Sequence, residues 1–167
     1  MVHPLWCAVP TAALWWPSTL LAPPRWLPLA LLVAWLGVLL SVVDFRHRRL
    51  PDAVTLPAYP LVGLALWWAG ADPWRAVAGA ALFFGFHLAV RLLAPSAMGG
   101  GDVKLAAPVG AVLASVSWWA LPAGAVVASA VTLVVVTPVA ASRRRAGGVP
   151  HGPGLLTAAW LAVLSAG

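Results

Sequence analysis

Apolar residues run through this chain in long blocks, and the polar ones collect in short gaps between them. From Trp26 to Val43 there is no charged residue. At a helical rise that block is about 27 Å long, close to one crossing of a bilayer's hydrocarbon core. It ends in Asp44-Phe45-Arg46-His47-Arg48-Arg49-Leu50-Pro51-Asp52, the most charged stretch of the chain. Ala53 to Gly70 is the next apolar element, with Pro57 and Pro60 inside it, and Ala71-Asp72-Pro73-Trp74-Arg75 is a tight turn. Ala76 to Leu93 returns toward the first end, with small residues at Gly79, Ala80, Ala81 and Gly85 that allow neighbouring helices to approach closely. Leu105 to Val116 is short for a span and contains Pro108 and Gly110, Trp118 to Ala141 follows, and Gly152 to Ala166 is the last element. Parity supports this division, because Arg143-Arg144-Arg145 should face the same side as the arginines at positions 46, 48 and 49.

The pattern predicts an all-α fold, a polytopic transmembrane helical bundle with six core spans in residues 26–167 behind an apolar segment at 1–25. Within that segment, Met1 to Ala22 is interrupted by Pro4, Pro10 and Pro17 and has no early Lys or Arg. A signal peptide needs a positive start, so the segment reads as an extra kinked span. Trp15 and Trp16 suit an interfacial belt. The chain has no internal repeat and no linker long enough to separate domains.

Composition agrees with a membrane protein: 62% of the 167 residues are hydrophobic and 8% charged, with a mean hydropathy of +0.94. The net charge of +6 comes from ten Lys and Arg against four Asp, with no Glu. Nucleic acid is the reflex partner for such a charge, but the basic residues sit in short inter-helix loops, which is the positive-inside pattern. The charge is therefore topological, and it places the Arg46–Arg49 loop in the cytoplasm. The single cysteine, Cys7, excludes an internal disulfide and a CxxC site, and reads as inert packing.

The candidate chemistry lies in the four acids. Asp72 before Pro73 is a turn former, and Asp52 after Pro51 is a helix cap. Asp44 and Asp102 each lie where an apolar helix meets a cytoplasmic loop, a costly place for a carboxylate. Asp102 follows Gly99, Gly100 and Gly101, whose freedom at positive φ suits a turn where backbone and carboxylate meet another chain. The bland alternative is that each acid is solvated at the interface and paired with Arg46 or Lys104. The functional one is an aspartic protease pair: close carboxylates share a proton, one activates water and the other polarises the scissile carbonyl, with no metal or cofactor. Nothing in the sequence competes as a catalytic motif, because there is no HExxH, no Gly-x-Ser-x-Gly and no histidine cluster. His87 reads as a satisfied core histidine, while His47 and His151 would neighbour the cytoplasmic site. Asp102, opening a helix near Val103, is favoured as an anion by the helix dipole, and Asp44, ending one, is disfavoured. That makes Asp102 the resting base and Asp44 the proton-bearing acid.

Taken in order, Asp44, Leu50-Pro51-Asp52, Gly99-Gly100-Gly101-Asp102-Val103-Lys104 and Val149-Pro150-His151-Gly152-Pro153 resemble the signatures of the type IV prepilin peptidases, membrane aspartic proteases of the GxGD kind. The resemblance runs from about Trp26 to the C-terminus. It implies cleavage of the short basic leader of type IV prepilins, pseudopilins or Flp-like pilins at the cytoplasmic face of a bacterial-type plasma membrane. In that reading Asp44 and Asp102 are catalytic, and Gly99, Gly100, Gly101, Lys104, Pro51, Asp52, Pro150, Gly152 and Pro153 shape the site. The sequence departs from the two-part members, which carry paired CxxC motifs and methylate the new amino terminus. It resembles the short, peptidase-only form. Gly100 fills the variable position and His151 stands where an aromatic residue is common, which bears on substrate preference. Two other classes remain open on the residues alone: a small transporter or proton relay built on membrane-edge acids, and a non-catalytic bundle that binds pilins or assembly proteins.

Overall fold

The computed structural model describes residues 5–47, 52–95, 98–136 and 151–166. Among these there are seven α-helices and no strand: α1 (Leu5–Leu21), α2 (Leu27–His47), α3 (Asp52–Trp68), α4 (Pro73–Leu93), α5 (Gly100–Val116), α6 (Ala120–Val131) and α7 (Gly152–Leu164). A π-helical turn, Thr132–Val136, continues α6. Every regular element among the described residues is helical, as the hydrophobic pattern predicts. Among the described residues α4 is the one helix long and apolar enough to cross a bilayer; Leu27–Val43, Ala120–Val134 and Gly152–Leu164 are apolar but shorter.

Two helix starts fall earlier than the pattern predicts, for different reasons. Asp72 caps α4, its carboxylate accepting from the Trp74 N–H at 2.9 Å, and Pro73 occupies the first turn, where a missing N–H costs nothing. The turn assigned to Ala71–Arg75 therefore contains the first helical residues. At α5 the correction is larger. Gly99 is the N-cap, at φ −70° and ψ 150°, and Gly100, Gly101 and Asp102 are already helical. Among the described residues only Gly70 has a positive φ, at 75°, in the connection before α4. The glycine run before Asp102 is thus not a positive-φ turn. Its glycines matter for the side chains they lack.

Helix α5 lies at the centre. Eleven of its residues are buried, from Asp102 to Ser115, against Leu29, Val33, Leu36 and Leu40 of α2, Val62 and Leu66 of α3, Phe83 of α4 and Leu155, Leu156 and Val163 of α7. A helix apolar on nearly all sides suits a position surrounded in this way. Its tightest neighbour is α4. A Cβ on Gly79 would overlap the Ala114 side chain and lie 2.5 Å from the Gly110 carbonyl oxygen. Gly110 would in turn collide with the Gly79 backbone and the Phe83 Cβ. At the other end of the same pair, Arg91 lies against Gly100, so α4 and α5 are antiparallel along their whole length.

Helix α1 docks on α2 and α7. Trp15 Nε1 donates to the Leu31 carbonyl at 3.1 Å, and Trp160 Nε1 donates to Ser18 Oγ at 2.9 Å. Trp15 therefore has an interhelical hydrogen bond, beyond the interfacial role its position suggests.

Gly79→Ala should destabilise the protein by about 1–3 kcal/mol, because the new methyl group meets backbone. Gly85→Ala in the same helix, where nothing lies within 4 Å, should be neutral or stabilising by about 0.5–1 kcal/mol. Thermal unfolding in detergent would compare the two.

Candidate active site

Asp44 lies in the last turn of α2 and Asp102 in the first turn of α5. The two helices between them are joined by short connections, one from α2 to α3 and one from α3 to α4. The chain thus crosses the molecule twice and returns, which puts both acids at one end. The side chains of Asp44, Phe45, Arg46, His47 and Asp52 lie outside the described part of the structure, as do Pro51 and Pro150 altogether. Asp52 is the first residue of α3.

Asp102 is 5% exposed. Its carboxylate folds back over the start of its own helix, with Oδ2 3.1 Å from where a Cβ on Gly99 would stand. A side chain at position 99 would press on that carboxylate, and glycine leaves it room. The helix places it where first-turn N–H groups and the positive end of the dipole favour an anion. Gly100 performs the same service for a cation: a Cβ there would meet the Arg91 guanidinium at 3.1 Å. Arg91, in the last turn of α4, donates from Nη1 to the Met98 carbonyl at 3.2 Å. It ties the end of α4 to the connection that leads into α5. Arg91 is absent from the residues that the hydrophobic pattern singles out, although a lone cation in the last turn of an apolar helix is a signal in itself.

Lys104 is exposed. Its backbone is more informative than its side chain: the Lys104 carbonyl accepts from Tyr59 Oη on α3 at 2.6 Å. Gly152 opens α7 with Pro153 in its first turn, and the neighbouring Gly154 lets α7 reach α6, since a Cβ there would stand 2.8 Å from Thr132 Oγ1.

A polar thread runs across the same end. His87 is 2% exposed and donates from Nδ1 to the Phe83 carbonyl at 2.8 Å, so it is the satisfied core histidine that its position suggests. Its ring lies 6.0 Å from that of His151. His151 Nδ1 is 2.8 Å from Thr132 Oγ1, and Thr132 in turn donates to the Ala128 carbonyl at 2.8 Å. With the hydroxyl proton spent on Ala128, the Nδ1–H of His151 is the donor to Thr132. Burial first, and then the nearby His87, lowers the His151 pKa to about 4, which keeps the ring neutral in that role. The α4–α5 register brings His87 level with the first turns of α5. Sequence spacing does not reveal this pairing, because His87 and His151 meet only once α4, α6 and α7 have packed.

The profile of the type IV leader peptidase family matches residues 30–138. The chain is similar to the prepilin leader peptidase/N-methyltransferase of Stutzerimonas stutzeri, 33% identical over 143 residues that make up 80% of this chain and 48% of that protein. The proteins of the same name from Aeromonas salmonicida (strain A449) and Aeromonas hydrophila are each 33% identical over 153 residues, 84% of this chain and 50% and 51% of theirs. The chain spans about half the length of the curated relatives it matches. No solved structure matches it. The matched residues take in both Asp44 and Asp102 and most of the chain, and the chain therefore belongs to the type IV leader peptidase family.

Proposed function

We propose that the chain is an aspartic endopeptidase of the membrane edge, removing the short basic leader of type IV prepilins, pseudopilins or Flp-like pilins on the cytoplasmic side. The single observation that carries the reading is a buried carboxylate, Asp102, in the first turn of the central helix, at the end of the molecule where Asp44 closes α2. Family membership and the relatives' names support the leader-peptidase class.

The membrane setting rests on the outer surface. Trp67, Trp74 and Trp119 are 75, 80 and 82% exposed, and Leu92, Leu93 and Val134 are also exposed. A soluble protein would not present so much apolar surface to water. Trp67, Trp68, Trp74, Trp118 and Trp119 gather at the α3–α4 and α5–α6 connections, opposite Asp102, as an aromatic belt at one bilayer interface would. Arg75 lies 5.5 Å from the Trp118 ring centre at that end. The six helices from α2 to α7 are then the core spans, tilted or thinning the bilayer where they are short, with α1 as a seventh.

In this reading Asp102, favoured as an anion by its helix terminus, takes a proton from water as the oxygen attacks the scissile carbonyl carbon. Protonated Asp44 donates a hydrogen bond to the carbonyl oxygen. When the tetrahedral intermediate collapses, the C–N bond breaks and the proton held by Asp102 passes to the departing amine. The pilin's apolar helix lies along the bundle in the bilayer while its leader meets the loops, where Asp44, Asp52 and Asp102 are the acidic side chains available to a basic peptide.

Co-expression with a prepilin tests the reading by the appearance of the shortened pilin. Asp44→Asn and Asp102→Asn should each lower cleavage at least about 100-fold, and Asp52→Asn should keep most activity, since Asn caps helices as well as Asp. Full cleavage by either of the first two variants would remove the proposal. Infrared titration of the same two single variants should show the carboxyl of Asp44 titrating above that of Asp102; the opposite order would exchange the acid and base roles.

A further inference from the structure

In a regular α-helix the carbonyl of residue 104 accepts from the N–H of residue 108. Residue 108 is proline, buried inside α5, and it has no N–H to give. The carbonyl at that position is the one that accepts the Tyr59 hydroxyl, at 2.6 Å, across 45 residues of chain. The sole tyrosine of the chain thus supplies, from a neighbouring helix, the donor that the proline withholds.

The location gives this bond its consequence. Lys104 follows Asp102 by two residues in the same turn, so its carbonyl marks the position of the segment that holds the buried acid. Tyr59 lies on α3, the helix that follows directly from the loop after Asp44. One phenol therefore ties the helix of Asp102 to the hairpin of Asp44. Tyr59 is 40% exposed, and its ring borders an open apolar groove of about 290 Å³ with Val62, Ala107 and Pro108. Its hydroxyl is the part that is fixed.

We infer that Tyr59 is a positioning residue for the candidate active site, its hydroxyl replacing the missing N–H of Pro108 and so setting the first turns of α5, with Asp102, against the α2–α3 hairpin. The inference rests on the peptidase reading for its effect on catalysis, and on geometry alone for its effect on α5.

The test uses three variants of the full chain in detergent: Tyr59→Phe, Pro108→Ala, and both together. Tyr59→Phe keeps the ring and should raise amide hydrogen exchange in residues 100–107 about 3- to 10-fold, the effect of one net hydrogen bond. With a prepilin substrate it should lower kcat by about 10- to 100-fold at nearly unchanged KM, because a small displacement of a catalytic group acts on the chemical step. Pro108→Ala restores the N–H at residue 108, so the double variant should recover both exchange protection and kcat. A merely structural tyrosine would not be rescued by a proline substitution on another helix. Unchanged exchange in Tyr59→Phe, or a double variant no better than Tyr59→Phe, overturns the inference. If exchange follows the expected pattern while the wild-type chain cleaves no prepilin, the positioning role stands and the peptidase reading falls.

Discussion

The contact on which the rest depends is the meeting of α4 and α5 at Gly79 and Gly110, where backbone touches backbone. Small residues at a crossing let a central helix and its neighbour come closer than side chains ordinarily allow. With no Cβ on either helix at the crossing, α5 fills the middle and α4 still reaches both of its ends. At the far end of the same pair, Arg91 lies on Gly100 and holds the connection through the Met98 carbonyl. Asp102 is buried because α5 is central, and its carboxylate is accommodated because Gly99 yields the space.

Electrostatics sharpen the same point. In a chain with four acids and a net charge of +6, an anion held away from water needs favourable surroundings. A helix N-terminus supplies oriented N–H groups without adding a mobile countercharge. Asp44 occupies the opposite kind of terminus. In the peptidase reading, two carboxylates with such different backbone fields would divide one proton unevenly, which a symmetric pair on two like helix ends would not do.

Much of the fold is legible in the sequence, because apolar block length and loop charge are strong, local signals. The helices follow the blocks closely, and Asp72 caps α4 through a two-residue signature visible in the string. Legibility fails where a rule about one residue meets a neighbour far along the chain. Pro108 makes Leu105–Val116 look like a short, broken span; in the structure α5 runs through it, with Tyr59 supplying a donor from 45 residues away. The glycines before Asp102 suggest a positive-φ turn, yet they are N-cap and helix, and their use is space for Asp102 and Arg91. The thread from His87 through His151 to Thr132 has no signature in spacing, since packing of three helices creates it. The acids themselves are legible for a simpler reason: there are so few of them.

The tryptophans at the α3–α4 and α5–α6 connections have a mechanical consequence in the membrane reading. Indole rings resist both full immersion in hydrocarbon and withdrawal into water, so they hold one end of the molecule at a fixed height, like a float at a waterline. The opposite end then works at a depth measured out by helix length alone. One additional turn in α4 and α5 would carry the Asp102 end about 5.4 Å further along the bilayer normal, so the chain's own backbone is the gauge that decides how far from the lipid a peptide bond must lie to be reached.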